Sequence, residues 1–148
     1  MAAFLASEPF THARLGTFIR KHGDWIGAIN LPPHGKVELH LAGDRKAPSS
    51  AALELAAALP TEYAALESQV ADALFEHYEP YSEEGTLDEL VDPGDVWSYL
   101  HVTYVDIDPE RRAFTVEIRM ETQWDEEHTL GVQLKDGELV DLNGSVGP

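Results

Sequence analysis

Along residues 114–124, Phe114, Val116, Ile118, Met120, Thr122 and Trp124 alternate with Thr115, Glu117, Arg119, Glu121 and Gln123. This period of two gives a strand one dry face and one wet face. Asp125, Glu126 and Glu127 then interrupt the apolar set, and Leu130, Val132 and Leu134 resume it, so the acidic triplet predicts the loop of a hairpin. Asp136-Gly137 accepts the positive φ of a tight turn and predicts a further short strand over residues 138–142. Upstream, residues 12–20 and 25–31 predict two strands around the turn-forming Lys21-His22-Gly23-Asp24, and Pro32-Pro33 ends the second. Residues 36–41 alternate again and predict a third. Residues 97–107 carry aromatic and β-branched side chains on both parities and predict a central strand, covered on both faces.

Helical signals lie between these two groups of strands. Ser49 or Ser50 can cap the Ala- and Leu-rich run at 51–59, and Pro60, which lacks an amide N–H, predicts a break or kink. Thr61 can cap a second helix whose buried face is Tyr63, Leu66, Val70, Leu74 and His77 or Tyr78, ending before Pro80. Thr86 with Glu89 forms a capping box that predicts a helical turn over 87–91, and the residues from Asn143 onward predict a frayed tail. The fold expected is α+β, a mostly antiparallel sheet of about six strands with a broken central helix pair on one face, as a single domain over residues 1–148.

Charge changes this picture. Residues 1–70 carry seven of the chain's 27 acids and six of its 10 Lys and Arg residues, so nearly all of the net charge of −17 falls after residue 70. Such a field repels phosphate and attracts cations, which argues against nucleic acid and anionic membranes and for a basic protein partner. Glu83, Glu84, Glu126 and Glu127 are the expected contact residues. The absence of cysteine excludes disulfides and thiolate chemistry and fits a cytoplasmic location, and no apolar run is long enough for a transmembrane helix.

Asp125, Glu127 and His128 are oxygen and nitrogen donors close in sequence, but adjacent side chains on a hairpin bend diverge. The expectation is therefore structural, with Trp124 packed at the sheet end and His128 bonded to a carboxylate or a loop carbonyl. No Gly-rich phosphate loop and no nucleophile elbow is present. No catalytic, cofactor-binding or metal-ligating residues are therefore assigned.

From Trp124 to Val132, with Asp136-Gly137 following, the chain resembles a family of small bacterial domains that share a Trp-Asp-x-Glu-His bend. These also open with strands around a Trp-x-Gly segment, as at Trp25-Ile26-Gly27. Thr129 stands where the family's bend is usually followed by Gly. Such domains are similar to immunity proteins of polymorphic toxin systems, which implies binding rather than catalysis. The expected function is thus a non-enzymatic, acidic binding protein that neutralises a basic toxin by contact. The rival expectations are a metal-dependent hydrolase using Asp125, Glu127 and His128, and a homo-oligomeric structural protein; a homodimer is compatible with either binding or structural roles.

Overall fold

The computed structural model describes residues 7–84, 87 and 90–146, with Glu84 described by its backbone only. Four strands, β1 (Phe10–His12), β2 (Gly16–Lys21), β3 (Asp24–Asn30) and β4 (Lys36–Leu41), form an antiparallel meander. Two helices follow, α1 (Ser50–Ala65) and α2 (Glu67–Tyr78), then 3₁₀ helices over Glu79–Glu84 and Pro93–Tyr99. A second antiparallel meander contains β5 (Leu100–Ile107), β6 (Val116–Thr122), β7 (Thr129–Lys135) and β8 (Glu138–Val146). The two meanders join through a parallel pair, β4 with β5, so the strands lie in the sheet in sequence order.

Among the described residues the sheet has eight strands rather than about six. One source of the difference is the region read as a single strand over 12–20. His12 Nδ1 accepts the backbone N–H groups of Arg14 and Leu15, both at 3.1 Å, and Gly16 has φ +86°, so the chain turns there and β1 pairs back on β2. β8, expected over residues 138–142, is longer than expected and continues over 143–146 instead of fraying, with Val146 opposite Thr129, while residues 147–148 lie outside the described residues. Trp97–Tyr99 belong to a 3₁₀ helix, so the central strand starts at Leu100. The helix pair is broken, though not where Pro60 predicts. α1 runs through Pro60, and the break falls at Leu66, whose φ of −97° and ψ of 0° depart from the helix. A mid-helix proline costs about 3 kcal/mol, but Leu59 and Tyr63, one on either side of it, are both fully buried and hold the turn in place. Thr61 therefore lies inside α1, while Ser49 caps it by accepting from Ala52 N–H. The capping box at Thr86 and Glu89 lies outside the described residues.

The core is the layer between the helices and one face of the sheet, where Phe18, Trp25, Leu39, Val105, Ile118 and Leu130 are all fully buried. The β2–β3 and β7–β8 hairpins turn at His22-Gly23 and Asp136-Gly137, four residues with positive φ, as two-residue turns of matching twist require. The other sheet face is less wet than alternation predicts. Glu117 is 3% exposed there, accepting from Arg119 Nε at 3.0 Å and from Gln133 Nε2 at 2.7 Å.

Candidate functional site

The bend between β6 and β7 is fixed through its backbone amides, which bond to one main-chain carbonyl and to two side chains. Gln123 N–H donates to Tyr99 C=O at 2.9 Å, Asp125 N–H to Thr122 Oγ1 at 3.3 Å, and Glu127 N–H to Asp125 Oδ1 at 3.3 Å. Trp124 is 5% exposed and Asp125 6%. A buried carboxylate needs hydrogen bonds to remain charged, and Asp125 has them: Tyr81 Oη donates at 3.1 Å, and His128 Nδ1 lies 3.0 and 3.1 Å from its two oxygens. Burial pushes the Asp125 carboxyl up, but the bonds from His128, Tyr81 and the Glu127 amide outweigh it and hold it below the usual range. The charged carboxylate fixes the proton of His128 on Nδ1.

Helix α2 completes the cluster. Trp124 Nε1–H donates to His77 Nδ1 at 2.9 Å, so a neutral His77 carries its proton on Nε2, which lies 4.0 Å from Asp125 Oδ2. Burial lowers the His77 pKa and His128 adds to that, while Asp125 opposes it. Tyr78 meets the Trp124 ring edge-on with centroids 5.6 Å apart. The bend is thus clamped to the end of α2 and the 3₁₀ turn after it, by His77, Tyr78 and Tyr81.

Beside it opens a depression of about 520 Å³, lined by Tyr81 and residues 123–128. A second, of about 330 Å³, lies across Glu126 and is lined by Tyr99, Leu100, His101, Glu121 and Thr122, sharing Gln123 and Glu126 with the first. Glu126 stands between the two. Glu121, Glu126 and Glu127 are exposed, and none has a hydrogen-bond or ion-pair partner through its carboxylate among the described residues.

Of the residues expected from sequence, the structure bonds Asp125 to His128 and ties the neighbouring Trp124 to His77 of α2. Glu126 and Glu127 face outward beside it. Glu83 is exposed on the Glu79–Glu84 turn and does not line either depression, while the side chain of Glu84 lies outside the described residues. Among the described residues no group of three or more His, Asp or Glu side chains is arranged to hold a metal ion, and no helix is long and apolar enough to cross a membrane. Sequence reasoning missed the clamp of His77 and Tyr81. Its trace was their spacing of four at the end of an amphipathic helix, which places two polar-tipped rings on one side.

No curated protein and no solved structure matches the chain. Residues 15–147 match the model of a domain of unknown function, DUF6985, and the chain belongs to that family.

Proposed function

We propose that this protein is a non-enzymatic binding domain, an immunity-type inhibitor that neutralises a basic toxin by protein–protein contact. The observation that carries the reading is the division of labour among the carboxylates of the bend. Asp125 is buried and engaged by His128, Tyr81 and a backbone amide, so it serves to hold the loop. Glu126, between its two depressions, and Glu127 are left to the outside on a backbone that is already fixed. Pre-ordering of this kind lowers the entropy cost of binding, and tyrosines beside acids suit the amphipathic stems of lysine and arginine. The concentration of net charge after residue 70 and the resemblance of the bend to immunity proteins support the same reading.

Affinity capture from the native cell, followed by binding kinetics with the retained protein, tests it. A basic partner is expected, with association slowing steeply as salt shortens the Debye length from about 10 Å at 0.1 M to about 3 Å at 1 M, while dissociation changes less. Charge reversal of Glu126 and Glu127, with Glu83 as a weaker contributor, should mimic added salt. Reversal of Glu8 or Glu54, in the near-neutral half, should not. An acidic partner, or association insensitive to salt, would sink the reading.

A further inference from the structure

The sheet has two ends, and they differ. At one, β1 is three residues long. At the other, β8 spans nine residues, Glu138–Val146, and no described strand lies beyond it. Along an edge strand every second residue turns its N–H and C=O away from its only neighbour, leaving a row of unused donors and acceptors. Natural edges are commonly guarded by lysine, proline, shortness or bulges. β8 has no lysine and no proline, and it is the longest strand described. Its guards are two bulges, one of which leaves Val140 between Leu139, opposite Leu134, and Asp141, opposite Gln133. Val140 is 50% exposed.

The charge along this edge is of one sign. Glu138 and Asp141 are exposed on β8 itself. Asp136 lies in the turn that starts it, and Glu62 of α1 reaches the same turn, its Oε2 2.9 Å from where a Cβ on Gly137 would stand. The nearby cation, Lys135, already donates to the Arg112 carbonyl. Acids aligned in this way oppose pairing with a second copy, which would set carboxylates against carboxylates. A strand with Lys or Arg at alternate positions meets them favourably.

We infer that the free edge of β8 receives an extended, Lys- or Arg-bearing segment of the basic partner as a ninth strand. This rests on the reading of a basic partner and adds how that partner's backbone is held. Position supports it: Val146 pairs with Thr129, the residue after His128, so the edge ends about two strand spacings, roughly 10 Å, from the bend. One partner can therefore engage the edge and Glu126 together. Main-chain pairing supplies affinity, and alternate side chains supply selectivity for cations.

The test uses a synthetic peptide of about eight residues alternating lysine and valine, and the same peptide N-methylated at alternate residues, which keeps its charge but cannot pair along one side. With the isotope-labelled full chain at low salt, the first peptide is expected to shift the amide signals of β8 and slow their hydrogen exchange, and methylation to weaken binding by about tenfold or more. Val140→Pro, at the bulge where a proline is tolerated, should weaken the unmethylated peptide to the level of the methylated one, with the melting temperature confirming the fold. If that variant does not fold, the paired change Glu138→Lys with Asp141→Lys should give the same loss. Equal binding of both peptides would overturn strand addition while leaving the acidic-surface reading standing. A chain that sediments as a dimer through β8 would overturn the assigned occupant, and absence of binding by either peptide would count against both readings.

Discussion

The two meanders have the same plan, four antiparallel strands each, yet they differ in charge and in how each secures its buried tryptophan. Residues 10–41 carry four bases and two acids, whereas residues 100–146 carry eleven acids and four bases. In the first, Trp25 Nε1–H donates to the Asp44 backbone carbonyl at 2.8 Å. In the second, Trp124 donates to a titratable side chain, His77, which also faces the buried Asp125. One anchor is main chain and indifferent to pH near neutrality. The other ties the bend to the ionisation state of its surroundings. The two tryptophan anchors thus differ in kind, one resting on main chain and the other on a side chain with titratable neighbours.

The largest effect that can break this comparison is loss of either ring. Trp25→Ala and Trp124→Ala should each cost about 3 to 5 kcal/mol, read as a lower urea midpoint, because both remove a large side chain from a packed site. If Trp124→Ala left stability unchanged while abolishing partner binding, Trp124 would be a contact residue and not an anchor.

Smaller, and sharper, is a pair of glycines. A Cβ on Gly27 would stand 2.6 Å from the fully buried Phe18 ring, and one on Gly131 would stand 2.6 Å from Glu117 Oε2 and 2.7 Å from a Val146 methyl. Alanine at either position overpacks, at about 1 to 3 kcal/mol. Gly27→Ala should lie at the upper end, since a caged aromatic ring cannot yield, and Gly131→Ala at the lower, since the end of Glu117 can swing if it gives up its bond from Gln133. Thermal melts of the two variants give the order, and the reverse order would show that the buried Glu117 network is the stiffer of the two.

The third effect is one of pH. His34, at the end of the β3–β4 connection, shares a 2.7 Å hydrogen bond with Tyr63 and is held by burial down to about 4. A histidine whose folded pKa is depressed favours folding fully above its unfolded value near 6.5, and that contribution is lost as pH falls from there towards 4. The full loss is at most about 3 kcal/mol, and less because water reaches part of the ring. His77 shifts in the same direction, so it adds to the decline. Stability from denaturant titrations between pH 7 and 4 should fall more steeply for the native chain than for His34→Gln. Parallel curves would show that His34 is protonated without penalty.

Much of the scaffold was legible in the sequence because its signals are local. The alternation of Val116, Ile118 and Met120, the His22-Gly23 and Asp136-Gly137 turns, the Ser49 cap and the buried stripe from Tyr63 to Tyr78 depend on neighbours a few residues away. What escaped depends on partners far along the chain. Pro60 predicts a break by local rules, and the burial of Leu59 and Tyr63 overrides them. Asn143 and Gly144 read as tail because their pairing strand, β7, is not visible in their own composition. At the candidate site the outward glutamates and the packed Trp124 were legible, along with a carboxylate partner for His128. That His77 and Tyr81 would close on the bend was not, because their contacts span 47 and 44 residues of sequence.

The parallel seam between β4 and β5 sets the order in which the chain can assemble. Each meander closes through short hairpins, but Leu41 meets Ile107, and Leu39 meets Val105, only after everything from residue 42 to residue 99 has been looped between them. Closing a long loop costs entropy that local pairing does not, and folding slows as contacts become more distant in sequence. Docking of the two half-sheets through α1 and α2 is therefore expected to be slower than closing either meander. Until it happens, each half exposes a strand edge that the finished molecule hides.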